Sequence, residues 1–234
     1  MAATPAPAVG KVLELLGKAA AAAAAAMGIK ETVKDRPGTR AREADCSEVS
    51  DDADCDQCLL INGRIGPPPT PRYIAKSNRI NYDYQLYVAN LHAGPERFGY
   101  VRAGDNSNSI VNIELSMLKD FFGTGGKYTT LEWMFGGVAF DGFWRKKCTV
   151  VESKANYGHF LNEVGFPKQP FMEHEFRGWR EKFLSQESVV ATAGSNGSLE
   201  WHFMDPKVYE AALALAKIPP HSARFTPYGI RVPQ

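Results

Sequence analysis

The 234-residue sequence contains no long apolar run. Its longest weakly apolar stretch is Ala19–Ala26, eight alanines preceded by Lys18, against the roughly 18 apolar residues that a membrane span needs. No basic segment precedes an apolar one at the start, and Glu14 interrupts the early aliphatics, so a signal peptide is not expected. Histidine is scarce, at five residues, and His92, His159, His174 and His202 have no metal-ligand spacing. Gly123-Thr124-Gly125-Gly126 lacks the Lys-Ser/Thr that a Walker phosphate loop requires and reads as a turn. No internal repeat occurs.

What is present suffices for a core: 44% of residues are hydrophobic and 11% aromatic, which excludes a wholly disordered chain. Charge is unevenly spread. Glu43 to Asp56 holds seven acids and no Lys or Arg, and taking that −7 out of the net +1 leaves +8 elsewhere. A body with that surplus can hold a polyanion, whereas the acidic stretch cannot. Cys46, Cys55 and Cys58 cluster, with Cys55-Asp56-Gln57-Cys58 at zinc-knuckle spacing but no fourth ligand nearby. Zinc, a disulfide and free thiols all remain open for these three. Cys148, within an apolar run, reads as a small buried hydrophobe.

Three regions follow from composition. Residues 1–34 read as an alanine-rich helical leader, suited to docking on another protein or equally to a floppy leader. Residues 35–72 read as an acidic, cysteine- and proline-containing linker ending in Gly66-Pro67-Pro68-Pro69-Thr70-Pro71. A compact domain spans residues 73–234. Within it, Ser77 or Asn78 caps a helix with apolar Ile80, Tyr84, Tyr87, Val88 and Leu91. A strand over Phe98–Val101 and a helix near Glu114–Phe122 are expected next. Two β-runs, Gly137–Trp144 and Cys148–Lys154, flank a basic turn. A short helix at Tyr157–Val164, a long one at Phe171–Ala193, a strand at Leu199–Met204, a helix opened by Asp205-Pro206 and a strand near Ile230 complete a mixed α/β order.

The chemistry lies in the two β-runs. Strand alternation puts Glu152 and Lys154 on one face and Ser153 on the other. A two-residue turn at Lys146-Lys147 pairs Arg145 with Cys148, and the same register faces Asp141 with Glu152. Opposed carboxylates repel unless a positive charge sits between them. Mg²⁺ or Mn²⁺, which prefer hard oxygen ligands, would answer that need. Lys154 beside such an ion could orient or deprotonate a water and stabilise a phosphate gaining charge.

An Asp followed by Glu-x-Lys on adjacent strands resembles the restriction-endonuclease fold. More narrowly, the chain resembles the restriction endonuclease fold toxin 5 domain of bacterial polymorphic toxins, which include type VI secretion effectors. Tyr84-Gln85, Glu132-Trp133, Phe140-Asp141-Gly142-Phe143, Glu152-Ser153-Lys154-Ala155 with Tyr157, Gln186 and Leu199–Phe203 carry the resemblance, over about residues 73–217. It implies a restriction-endonuclease-like core, with a central β-hairpin in a mixed sheet flanked by helices. It also implies an antibacterial, metal-dependent endonuclease that cuts DNA and is neutralised by a cognate immunity protein. Delivery would use a secretion spike or an adaptor or chaperone reached through the N-terminal region. The protein would be made in the bacterial cytoplasm, exported without a signal peptide and active in the target-cell cytoplasm. By position, Asp141 and Glu152 would bind metal and Lys154 would serve the water; Gln85, Glu132 and Gln186 would support the site. Tyr157 and Trp201 could stack on bases, although core packing suits both. The competing readings are a housekeeping or defence nuclease of the same fold, and a catalytically inactive domain that binds a partner protein.

Overall fold

The computed structural model describes residues 58–68, 70, 74, 77–104, 108–111, 128–194 and 196–229. The alanine-rich leader, Cys46, Cys55, the helix expected near Glu114–Phe122, the Gly123–Gly126 loop and the strand expected near Ile230 lie outside them. Among the described residues the chain makes a mixed α/β fold. Its strands are β1 (Arg64–Gly66), β2 (Tyr100–Arg102), β3 (Tyr128–Thr130), β4 (Glu132–Phe135), β5 (Val138–Phe140), β6 (Gly142–Trp144), β7 (Thr149–Lys154), β8 (Ser198–Phe203) and β9 (Ala223–Phe225). Its α-helices are α1 (Arg79–Asn90), α2 (Pro170–Ala191) and α3 (Pro206–Ala214). No described helix is long and apolar enough to cross a membrane.

The described strands form three sheets: β1-β4-β5, β2-β3 and β6-β7-β8-β9. β6 and β7 pair antiparallel, while β7–β8 and β8–β9 pair parallel. Parallel neighbours need a crossover, and α2 lies in the one from β7 to β8. Its buried residues Met172, Phe176, Trp179, Phe183, Gln186 and Val190 recur every three or four positions and make one stripe. Gln186 is the only polar member of that stripe. α3 begins where the sequence places it, with the Asp205 side chain accepting from the backbone N–H groups of Lys207 and Val208 and Pro206 in the first turn.

The run Gly137–Trp144, expected as one strand, is two. β5 pairs with β4 in the first sheet, β6 pairs with β7 in the third, and Asp141 is the residue between them. Both neighbours are anchored: Phe140 and Phe143 are fully buried, and the Phe143 ring stacks on Trp133 of β4 at 4.7 Å. The β6–β7 register is Gly142↔Val151, Phe143↔Val150 and Trp144↔Thr149, as strand alternation predicts. The connection differs, because Arg145–Lys147 forms a 3₁₀ turn and Cys148 closes it with a left-handed φ of 47°. Lys-Lys cannot readily supply the two positive φ angles of a tight hairpin turn; a longer turn keeps the register and puts the strain on Cys148.

Two expectations need correction. Composition assigns residues 58–68 to a linker, yet this segment is built into the body. Leu60 is fully buried, its carbonyl accepts from Trp133 Nε1 at 3.2 Å, and β1 pairs with β4. Pro67 and Pro68 end β1; they do not mark the start of the domain. Cys148 is likewise no lone hydrophobe: it is disulfide-bonded to Cys58, 90 positions earlier, with Cα atoms 5.7 Å apart. That bond settles Cys58 as a disulfide partner and removes it from any zinc set.

Candidate active site

β7 ends in the sequence Glu152-Ser153-Lys154, and the side chains alternate as a strand requires. Glu152 and Lys154 meet on one face, Lys154 Nζ donating to Glu152 Oε1 at 2.5 Å. The β6–β7 register, continued by one residue, sets Asp141 across from Glu152. Ser153 contributes too: its backbone N–H and its hydroxyl both donate to Asp141 Oδ2, at 2.7 and 2.6 Å. These bonds fix the carboxylate of a residue that belongs to no strand.

Glu152 is 1% exposed, and a buried carboxylate must be compensated or protonated. Compensation comes from three donors. Besides Lys154, Lys182 of α2 donates to Oε1 at 2.7 Å, and Gln186 Nε2 donates to Oε2 at 3.0 Å. Gln186 is held in turn, donating to the Ala139 carbonyl at 3.2 Å and accepting from Trp201 Nε1 at 2.9 Å. Lys154 lies 4.8 Å from the ring centroid of Trp201 and 5.8 Å from that of Trp179, within cation–π range.

The two carboxyl groups are driven apart in acidity. Burial works to raise the Glu152 pKa, but the ammonium groups of Lys154 and Lys182 and their hydrogen bonds outweigh it and hold it at about 2. Burial also raises Asp141, and here the negative charge of Glu152 adds to it. The lysines and Ser153 offset that only in part, so Asp141 stays above the ordinary carboxylate range. Of the pair, Glu152 is held ionised more strongly and Asp141 less so.

These groups face a cleft of about 230 Å³. Asn81, Tyr82 and Gln85 of α1 form one wall; Asp141, Glu152, Ser153, Lys154 and Ala155 form another; Tyr157 completes it. α1 can lie this close because β6 starts with glycine. A β-carbon on Gly142 would sit 2.7 Å from both Cα and Cβ of Ala89. A larger hollow of about 640 Å³, bordered by Asn90, Pro95, Glu96 and Ile110, carries no comparable set. Glu96 is its one carboxylate, and Arg145 pairs with it. The smaller cleft holds the acid–base groups.

Of the supporting residues expected from sequence, Gln85 and Gln186 act at this site in different ways. Gln85 lines the cleft and donates to Thr130 Oγ1 and Glu132 Oε1, at 3.2 and 3.3 Å. Gln186 lies behind Glu152. Glu132 is buried on β4 and connects to the cleft through Gln85. Trp201 is fully buried, and Tyr157 lines the cleft with its ring edge-on to Trp179 at 5.0 Å. Lys182 escapes sequence reasoning. Its signal is faint: it stands four residues before Gln186, and therefore on the same helical face.

No three His, Cys, Asp or Glu side chains among the described residues cluster as a metal cage. The donor set still fits a hard divalent ion. Two carboxylates lining one cleft suit Mg²⁺ or Mn²⁺, which take few protein ligands.

A buried acid pair with a lysine on one of the acids, on the hairpin of a mixed sheet, is the arrangement to compare with known proteins. Residues 122–206 match the family model for restriction endonuclease fold toxin 5. Over that span the chain is similar to the restriction endonuclease fold toxin 5 domain. No curated protein matches the sequence. The matched span contains Asp141, Glu152, Lys154, Lys182 and Gln186, whereas α1, with Asn81, Tyr82 and Gln85, precedes it. One cleft wall thus comes from outside the matched segment.

Proposed function

We propose that this protein is an antibacterial toxin effector that hydrolyses the phosphodiester bonds of DNA with Mg²⁺ or Mn²⁺. The observation carrying this reading is that Asp141 and the Glu152–Lys154 pair open into one cleft beneath α1. Asp141 and Glu152 would hold the ion, which when bound supplies positive charge to a phosphate and a more acidic water. Lys154 Nζ would orient an attacking water and balance the negative charge that builds on the phosphate. The Trp179 and Trp201 rings limit where the ammonium can go, so its position is set before substrate arrives. Ser153 orients Asp141, and Gln186 orients Glu152.

Two further parts of the reading rest on charge and on the toxin family. The +8 carried outside Glu43–Asp56 favours binding to a polyanion, and an acidic immunity protein would shield the same surface in the producing cell. The N-terminal region would engage the delivery machinery, a spike or an adaptor, with action in the cytoplasm of the recipient.

The test is incubation of supercoiled plasmid, linear duplex and single-stranded DNA, and RNA with the protein. Mg²⁺, Mn²⁺ and EDTA are compared, with Asp141→Ala and Glu152→Ala as controls. Cleavage of DNA with either ion, abolished by EDTA and by both substitutions, supports the proposal. Cleavage of RNA alone redirects the substrate. Persistent cleavage in EDTA, or in folded Glu152→Ala protein, refutes the assignment.

A further inference from the structure

Lys182 gives Glu152 one cation more than its mechanism needs. Lys154 and Lys182 donate to the same atom, Glu152 Oε1, at 2.5 and 2.7 Å. With Asp141 and Glu152 ionised, the two lysines already bring this cluster to neutrality. A divalent ion held by the two carboxylates would add two positive charges beside both ammonium groups, which already occupy Glu152 Oε1. Like charges in a poorly solvated site repel strongly, so one lysine has to withdraw.

The two lysines are not equally free to do so. The Lys154 side chain is 12% exposed, two residues along the same strand from Glu152 and confined by the Trp179 and Trp201 rings. The Lys182 side chain is 31% exposed and comes from the face of α2 that carries Gln186. It can turn into water with little loss, because it is already partly hydrated and its stem can stay on the protein surface. Gln186 keeps Glu152 in place when it leaves, since it holds the other oxygen, Oε2.

We infer that Lys182 is an exchangeable cation on Glu152, occupying the carboxylate in competition with the divalent ion and withdrawing when that ion binds. This rests on the reading that Asp141 and Glu152 hold the metal. Lys182 is then a positioning residue that sets the ion concentration at which the site becomes loaded. It keeps Glu152 ionised and correctly placed without metal, at the expense of metal affinity. Equilibrium competition of this kind is reciprocal: whatever Lys182 contributes to the metal-free protein is subtracted from metal binding.

The experiment measures Mn²⁺ binding by titration calorimetry, and melting with and without Mn²⁺, for wild type, Lys182→Met, Lys182→Gln and Lys182→Arg. The expected result is Mn²⁺ binding about tenfold tighter in the Met and Gln variants, the scale of one removed competing charge. Both should melt lower than wild type without metal and show a larger Mn²⁺-induced rise. Lys182→Arg, which keeps the charge, should bind Mn²⁺ within about twofold of wild type. Two neutral variants guard against one that fails to fold. A purely structural Lys182 would lower the metal-free melting temperature and leave Mn²⁺ affinity unchanged or weaker; that result overturns the inference and leaves the metal site standing. If wild type and the neutral variants alike bind no Mn²⁺, the metal reading itself falls, and the inference with it.

Discussion

Replacing Cys58 and Cys148 by alanine tests how the N-terminal segment is attached to the hairpin that carries Glu152. The crosslink closes a loop with a sequence separation of 90. For that length, chain entropy predicts about 4.6 kcal/mol of stabilisation at 25 °C, and measured disulfides more often give about 2–4. A loss of about 3 kcal/mol should lower the melting temperature of a chain this size by about 6–12 °C. It should also shift the urea midpoint with little change in slope. The assay is urea and thermal unfolding followed by tryptophan fluorescence; Trp133 and Trp144 lie close to the crosslinked region. Cys46 and Cys55 are alanine in every protein compared, so that only one pair of thiols varies. Reductant added to the parent should reproduce the double variant, and should do nothing to the double variant itself. Well below the transition, both should cleave as the parent does, because no catalytic contact passes through the sulfur atoms. If parent and double variant unfold within about 1 kcal/mol of each other, the crosslink does not fasten residues 58–66 to the hairpin, and the reasoning fails.

Four further outcomes follow. A fragment beginning at Asp56 should fold and cleave, whereas one beginning at Tyr73 loses β1, the buried Leu60 and the acceptor for Trp133 Nε1. Circular dichroism and melting should show the shorter fragment unfolded or many degrees less stable; equal midpoints would refute this. Glu152→Gln should abolish cleavage and also destabilise the metal-free protein by about 3 kcal/mol, since two ammonium groups lose their buried partner; an unchanged melting temperature argues against that burial. Asp141→Asn should show the opposite sign. Because the folded protein raises the Asp141 pKa, its contribution to stability is present below the unfolded value and lost as pH rises through the folded one. The variant's melting temperature should therefore gain on wild type from pH 4 to pH 7 (values set by the ordinary carboxylate range), and a constant difference would contradict it. Gly142→Ala, driven into Ala89, should cost about 1–3 kcal/mol and lower cleavage by displacing α1; calorimetric melting with a plasmid assay checks both effects.

Much of the hairpin was legible in the sequence, and for a physical reason. Side chains alternate strictly along a strand, so Glu152 and Lys154 share a face, and one pairing sum across the turn sets Asp141 opposite Glu152. The sum survived an unexpected turn type because the same four residues, Arg145–Cys148, join Trp144 to Thr149, with Cys148 closing the turn in a left-handed conformation. α2 was legible as a long helix, whereas Gln186 entered only through the family resemblance; the buried stripe that holds it is a finding of the structure. Lys182 was not legible, because a lysine on a helix with many charges looks like any solvated residue, and the 30 positions separating it from Glu152 erase local signal. The same holds for Cys58 and Cys148: spacing speaks for neighbours in sequence, and this pair are neighbours only once β1 has paired with β4. Residues 58–68 were hidden by their surroundings, with an acidic run before them and prolines after them, although Leu59-Leu60-Ile61 is apolar enough to belong to a core.

The break between β5 and β6 has a bearing on engineering. A designer moving this chemistry to another scaffold would naturally lift the β6–β7 hairpin with its Glu-x-Lys and graft it as a cassette. That cassette carries Glu152 and Lys154 and leaves the first acid without an address. Asp141 takes its position upstream, from Phe140 on β5, which is registered against Trp133 of β4, while the Trp133 ring grips Phe143 on the far side of the junction. The smallest transplantable unit therefore runs from β4 through β7, with a partner helix able to accept a glycine at its point of contact.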